Sequence, residues 1–222
     1  MRQVIGSESR GLSREELLVV LERILDCLAG AADEFNRLDS AVGDGDLGVT
    51  MTLGCRAVRK LLPELASGSE DIGSIVAKSG MAFNRAASST IGVLFAIGAM
   101  RAGKEARDAY LLDPPLLARI VRAAEVGIME RGQAQRGDKT LLDALGPSAD
   151  ALEAAVNEGR TLLEATEAAA QAAREGVEAT IPMRAKSGRS AWIPERSVGQ
   201  PDPGATVILR IWEAFVQFLY ET

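Results

Sequence analysis

Three aspartates, Asp39, Asp44 and Asp46, fall within the run Leu38-Asp39-Ser40-Ala41-Val42-Gly43-Asp44-Gly45-Asp46-Leu47-Gly48-Val49-Thr50. Two carboxylates held ~5 Å apart repel by about 3 kcal/mol at an effective dielectric of about 20, and a bound cation relieves that repulsion. The chain has no histidine, and no cysteine lies in the run. The ligands would therefore all be oxygens and the cation a hard one, Mg²⁺ or Ca²⁺. The helix–loop–helix calcium pattern fails on spacing. Counting from Asp44, Val49 stands where that loop needs Gly, and Cys55 where it needs Glu. Magnesium takes one or two carboxylates plus substrate phosphates, and the N–H groups of Gly48 to Thr50 at a helix start would face an anion. A solvated loop whose aspartates cap helices and turns is the other reading, and spacing alone leaves both open.

Three further segments carry candidate chemistry. Asn84-Arg85-Ala86-Ala87-Ser88-Ser89-Thr90-Ile91-Gly92 sets small hydroxyl residues ahead of an apolar helix, as caps or as phosphate contacts. Gly137-Asp138-Lys139-Thr140 is not a P-loop, because Asp138 separates Gly from Lys and no strand precedes it. By its residues it reads as a turn leading into Leu141, Leu142 and Leu145. In the Gly/Pro-rich stretch Met183 to Gly204, Arg189 and Arg196 could neutralise phosphoryl oxygens or pair with surface charges. Trp192 is expected to pack.

The elements that must position these residues read as helices. Aromatics are 4% of the 222 residues, and Ala, Leu, Glu and Arg at helical spacing dominate. Ser13-Arg14-Glu15-Glu16 is a capping box ahead of a stripe of Leu17, Leu21, Ile24 and Leu28. Further helices are expected at Val49–Leu65, Ile72–Phe83, Ser89–Ala102, Pro115–Arg131, Thr140–Asn157, Thr161–Thr180 and Ala205–Tyr220. Short breaks make neighbours antiparallel. The expectation is an all-α bundle of about eight amphipathic helices: a flexible N-terminus over 1–11, then one domain over 12–222. Leu38–Gly48 and Met183–Gly204 are expected to be irregular, and in a compact bundle such segments tend to be functional.

Composition excludes several classes. With 25 Lys+Arg against 31 Asp+Glu the net charge is −6, unlike a nucleic-acid binder. The lack of histidine excludes Ser-His-Asp and Cys-His catalysis and any phosphohistidine relay on this chain. Cys27 and Cys55, in apolar surroundings, read as buried free thiols of a reducing cytoplasm. The start has no signal-like apolar run, and Ala86–Met100 is shorter than the ~20 residues of a membrane span.

Taken in order, the acidic loop, Gly137-Asp138-Lys139-Thr140-Leu141-Leu142-Asp143-Ala144-Leu145 and Gly188-Arg189-Ser190-Ala191-Trp192-Ile193-Pro194-Glu195-Arg196-Ser197-Val198-Gly199-Gln200-Pro201-Asp202-Pro203-Gly204-Ala205 resemble the L subunit, the nucleotide-binding part, of dihydroxyacetone kinase. The resemblance spans nearly the whole chain. It implies a closed barrel of eight antiparallel helices with the nucleotide at one end. It further implies that Asp39, Asp44 and Asp46 hold two Mg²⁺ ions, and that Leu47, Gly48, Val49, Thr50, Ser88 and Ser89 contact phosphates. Gly132 and Leu141 would line the nucleotide pocket, which the Gly137 motif helps to frame. Arg189 would face the transferring phosphoryl group and Asp202 would close the site.

The resemblance also implies a division of labour. A separate K subunit holds a small ketose such as dihydroxyacetone through a histidine, and the L subunit delivers the phosphoryl group. The donor is ATP, or a tightly bound ADP that a phosphotransferase-system subunit rephosphorylates in place. A nucleotide-binding regulatory module would need the same carboxylates. Two departures stand out: Leu47 replaces the histidine of the usual GDGDHG, and Ala87-Ser88-Ser89-Thr90 replaces a Ser-Gly-rich turn.

Overall fold

The computed structural model describes residues 11–192 and 194–221, all with side chains except Arg189. The expected N-terminal segment, apart from Gly11, lies outside the described residues.

The capping box forms: Ser13 Oγ accepts from Glu16 N–H at 3.2 Å, and Glu16 Oε2 accepts from Ser13 N–H at 2.7 Å. It starts α1 (Arg14–Gly30). The expected Leu17, Leu21, Ile24 and Leu28 stripe lines an apolar space of about 310 Å³ between the helices. α3 (Leu47–Ser67), α4 (Ile72–Ala86), α5 (Thr90–Glu105), α6 (Pro114–Gly132), α7 (Leu142–Asn157), α8 (Leu162–Thr180) and α10 (Pro203–Glu221) match the expected helices to within a turn. Asp71, Ser89, Asp113 and Thr161 each cap a helix start with a side-chain oxygen.

These helices form a closed ring. Contacts run α1–α3–α4–α5–α6–α7–α8–α10 and back from α10 to α1. The Arg14 guanidinium at the start of α1 donates to Leu65, Gly68 and Glu70 carbonyls at the end of α3, which sets the two helices antiparallel. Among the described residues no helix is long and apolar enough to cross a membrane.

Three sequence expectations are corrected. The first irregular segment begins later than expected, because α2 (Ala32–Val42) continues the helix and buries Phe35, Leu38 and Val42 at i, i+3 and i+7. The second contains a 3-10 turn (Arg189–Trp192) and a short α9 (Pro194–Ser197). Trp192 does not pack; it is 84% exposed. A two-residue antiparallel pair, β1 (Leu12–Ser13) with β2 (Leu111–Leu112), ties the start of the chain to the α5–α6 connection. Cys55 is buried and Cys27 half-buried, both free, and burial pushes the Cys55 thiol up to about 12.

Candidate functional site

The acidic cluster is built by the α2–α3 turn. Asp39 sits in the last turn of α2, and its Oδ2 accepts the Asp46 N–H at 3.0 Å. Gly43 N–H closes the helix on the Asp39 carbonyl at 2.5 Å, and Gly45 takes a left-handed φ of 76° that reverses the chain. Carboxylate oxygens of Asp39, Asp44 and Asp46 lie within 4.8 Å of one another. Such a grouping offers anionic oxygen ligands only, which suits a hard divalent cation.

The turn is locked to α2 from below. Asn36 Oδ1 accepts the Gly48 N–H at 2.7 Å, and a Cβ at Gly48 would come within 1.9 Å of the Ala32 carbonyl oxygen. The Gly48 amide is thus committed to Asn36, and the Thr50 amide to the Asp46 carbonyl at 2.9 Å. Of the amides from Leu47 to Thr50, that leaves Leu47 and Val49 with no acceptor among the described residues.

Beside the cluster lies a cavity of about 250 Å³ at the end of the barrel where α3, α5, α7 and α10 begin. Its wall unites most of the residues singled out in the sequence: Asp39, Asp46, Leu47, Thr50, Ser89, Gly132, Leu141 and Asp202. Ile91, Leu94, Ile128 and Leu142 give it an apolar side. Asp44 joins through the carboxylate cluster rather than the cavity wall. Gly48 is buried behind the wall, while Val49 and Ser88 are exposed and off it. The Arg189 backbone opens the 3-10 turn, but its side chain lies outside the described residues. Arg196 is exposed and off the wall, and Glu195 pairs at the surface with Arg184 at 3.6 Å.

Lys139 and Thr140, of the motif expected to frame the pocket, also line the cavity, as do Ser187, Gly188 and Ser190, which the sequence reading did not single out. Lys139 is 2% exposed, and its Nζ donates to the carbonyls of Thr180 (2.8 Å), Met183 (3.2 Å), Gln200 (2.7 Å) and Ser197. Burial lowers its pKa from the ordinary value, and the nearby Asp202 charge opposes that shift. The Asp202 carboxyl is also buried, at 7% exposure, and burial pushes its pKa up to about 7. Asp202 Oδ1 accepts the Ala205 N–H at 2.7 Å at the start of α10. Asp143 braces the Gly137 turn, accepting from Gly137 N–H at 2.5 Å and Thr140 N–H at 2.7 Å.

Residues 41–217 match the family described as the DAK2 domain. The chain is 32% identical over 198 residues to the ADP-binding subunit DhaL of the PEP-dependent dihydroxyacetone kinase of Escherichia coli, covering 89% of this chain and 93% of that one. It is 36% identical over 185 residues to D-erythrulose kinase of Mycolicibacterium smegmatis, covering 83% of this chain and 32% of that protein. The crystal structure of the dihydroxyacetone kinase of C. freundii superposes with a TM-score of 0.74 at 23% identity, over 98% of this chain and 37% of that one, and so shares the fold. The chain thus spans nearly all of the DhaL subunit but only about a third of the two larger kinases.

Proposed function

This chain belongs to the DAK2-domain family, and on that premise we propose that it is the nucleotide-binding, phosphoryl-transferring subunit of a kinase for a small ketose such as dihydroxyacetone. The observation that carries this reading is the convergence of the Asp39, Asp44 and Asp46 oxygens, within 4.8 Å of one another, at the edge of the barrel-end cavity. The donor set fits magnesium, being anionic, all-oxygen and in a chain without histidine. These three aspartates would hold Mg²⁺, two ions by resemblance, whose charge neutralises phosphate oxygens when bound.

The chain's own residues supply the rest. Thr50 and Ser89 line the cavity, and Ile91, Leu94 and Leu141 offer an apolar wall for a base. Arg189 supplies charge to the transferring phosphoryl group, and Asp202 closes the far side. Catalysis is then positioning and charge neutralisation, as phosphoryl transfer requires. The ketose sits on a separate K subunit in the cytoplasm. The names of the DhaL relatives, ADP-binding subunits of PEP-dependent kinases, support a resident ADP; by the resemblance a phosphotransferase-system subunit would rephosphorylate it in place, with direct use of ATP as the other mode.

The test is calorimetric titration with ADP and with ATP, with and without Mg²⁺, beside Asp46→Asn. Mg²⁺-dependent binding that the variant loses, at unchanged helical circular dichroism, supports the site, and the preferred nucleotide identifies the donor mode. No binding under any condition overturns it. Tight binding with no turnover beside a K subunit would leave a regulatory module instead.

A further inference from the structure

The buried ammonium of Lys139 is not used by the phosphoryl-transfer scheme above. Its carbonyl partners lie 41 to 61 residues further along the chain, on both sides of the connection between α8 and α10. Thr180 ends α8, so its carbonyl belongs to the helix terminus that lacks intrahelical donors and carries the negative end of the dipole. Ser197 ends α9, and Met183 and Gln200 flank the two ends of the connection. The ends also meet directly, Gly199 N–H donating to the Ile181 carbonyl at 2.8 Å. The segment is therefore an Ω-shaped loop whose neck is closed around one cation.

Two hydrogen bonds from Lys186 tie the same loop to the Gly137 turn. Lys186 N–H donates to the Asp138 carbonyl at 3.0 Å, and Lys186 Nζ to the Gly137 carbonyl at 3.0 Å. Inside the loop, Ala185 N–H donates to Ser197 Oγ at 2.9 Å. Lys139 reaches the neck from a left-handed backbone, φ 61°, which is costly for a residue with a Cβ and persists only where its surroundings enforce it. The tip of the loop places Ser187, Gly188 and Ser190 on the cavity wall.

We propose that Lys139 is a positioning residue whose ammonium serves as a tethered monovalent cation, gathering the Thr180, Met183, Ser197 and Gln200 carbonyls and so fixing the 187–190 segment over the cavity. A cage of carbonyl oxygens is the ligand set of a bare alkali or ammonium ion; here the ion is delivered on a four-carbon stem. The loop's role as a nucleotide cover rests on the function proposed above, whereas the clamp itself does not.

The test uses the full chain with two substitutions, Lys139→Met and Lys139→Ala, read by amide hydrogen exchange over residues 184–199 without nucleotide. Removing the cation takes the Met183 and Gln200 carbonyls' donor and leaves the buried Thr180 and Ser197 carbonyls only the Met183 and Gln200 N–H groups, so exchange in this segment accelerates at least about tenfold in both variants while α3 to α6 are unchanged. Lys139→Ala removes the atoms of propylammonium. Added propylammonium therefore restores its protection, tetramethylammonium at equal ionic strength does not, and Lys139→Met, whose side chain fills the space, responds to neither. Wild-type exchange in Lys139→Met overturns the clamp, as does equal response of Lys139→Ala to the two cations. Should Lys139→Ala not fold, Lys139→Met alone decides.

Calorimetry with Mg²⁺ and ADP then tests positioning. A loss of affinity of about tenfold or more in Lys139→Met supports it, and wild-type affinity despite a loosened loop overturns it. If the wild-type chain itself binds no nucleotide, the functional reading fails while the exchange result still judges the clamp.

Discussion

Asp39 Oδ2 accepts the backbone N–H of Asp46 at 3.0 Å, so one carboxylate of the cluster orients the turn that carries another. Asp39 thus serves both as a ligand candidate and as a brace. Asp39→Asn keeps an acceptor for that N–H but removes the charge. It should cut Mg²⁺-dependent ADP affinity by about 100-fold or more at unchanged helicity, as calorimetry and circular dichroism would show. Asp39→Ala should also speed amide exchange at 43–47, since the brace is gone.

Gly48→Ala tests how tightly the turn is seated. Its methyl group would lie 1.9 Å from the Ala32 carbonyl oxygen and 2.7 Å from Asn36 Oδ1, and the first of these is backbone that cannot swing away. Pushing α2 off α3 should cost about 1–3 kcal/mol in urea unfolding and weaken metal-dependent binding as the carboxylates shift.

Glu125, 2% exposed, accepts from Arg122 Nη1 and from Arg136 Nε at 2.7 Å, joining α6 to the 133–141 connection that frames the cavity. Arg136 also holds Asp150 of α7 at 2.6 Å. Glu125→Gln would leave two guanidinium groups facing a buried neutral amide, and denaturant unfolding should show a loss of about 3 kcal/mol. Arg122 keeps Asp150 and Glu153 as partners, so Arg122→Ala and Glu125→Gln should be non-additive in a double-mutant cycle.

Asp202 gives the protein a pH signature. Burial raises its folded pKa from 3.8 to about 7, so between those values the folded state binds more protons than the unfolded chain. Its contribution is fully present below pH ~4 and is lost as pH rises to ~7. Asp202→Asn retains an acceptor for Ala205 N–H but cannot ionise. It should gain stability relative to wild type between pH 4 and 8, by an upper limit of about 4 kcal/mol, measured as paired urea curves. A constant difference across that range would refute the assignment.

Trp192 stands at 84% exposure beside the cavity loop. Trp192→Ala should therefore leave the stability of the isolated chain within about 0.5 kcal/mol of wild type by thermal or urea unfolding.

The all-helical architecture was legible because its signals are local. Ser13 and Glu16 close their capping box three residues apart, and the apolar stripes repeat every turn. The grouping of the Asp39, Asp44 and Asp46 carboxylates, whose oxygens lie within 4.8 Å of one another, was likewise visible as a cluster of like charges close in sequence. Local reading failed where polar residues interrupt an apolar period. Asp39 and Ser40 looked like loop, yet Phe35, Leu38 and Val42 bury one face and carry α2 through them.

The residues and their spacing determined the helical class and the all-oxygen, anionic make-up of the acidic loop. Tertiary structure decided which candidates face one cavity. It set Ser89 on the wall and Ser88 off it, committed the Gly48 amide to Asn36, and turned Trp192 outward. It also made Lys139, read from sequence as part of a turn, the neck of a loop up to 61 residues away. The physical reason is range: i to i+4 bonds and stripes are fixed by nearest neighbours, whereas a buried ammonium's partners are fixed only when the ring of helices closes and desolvates them together.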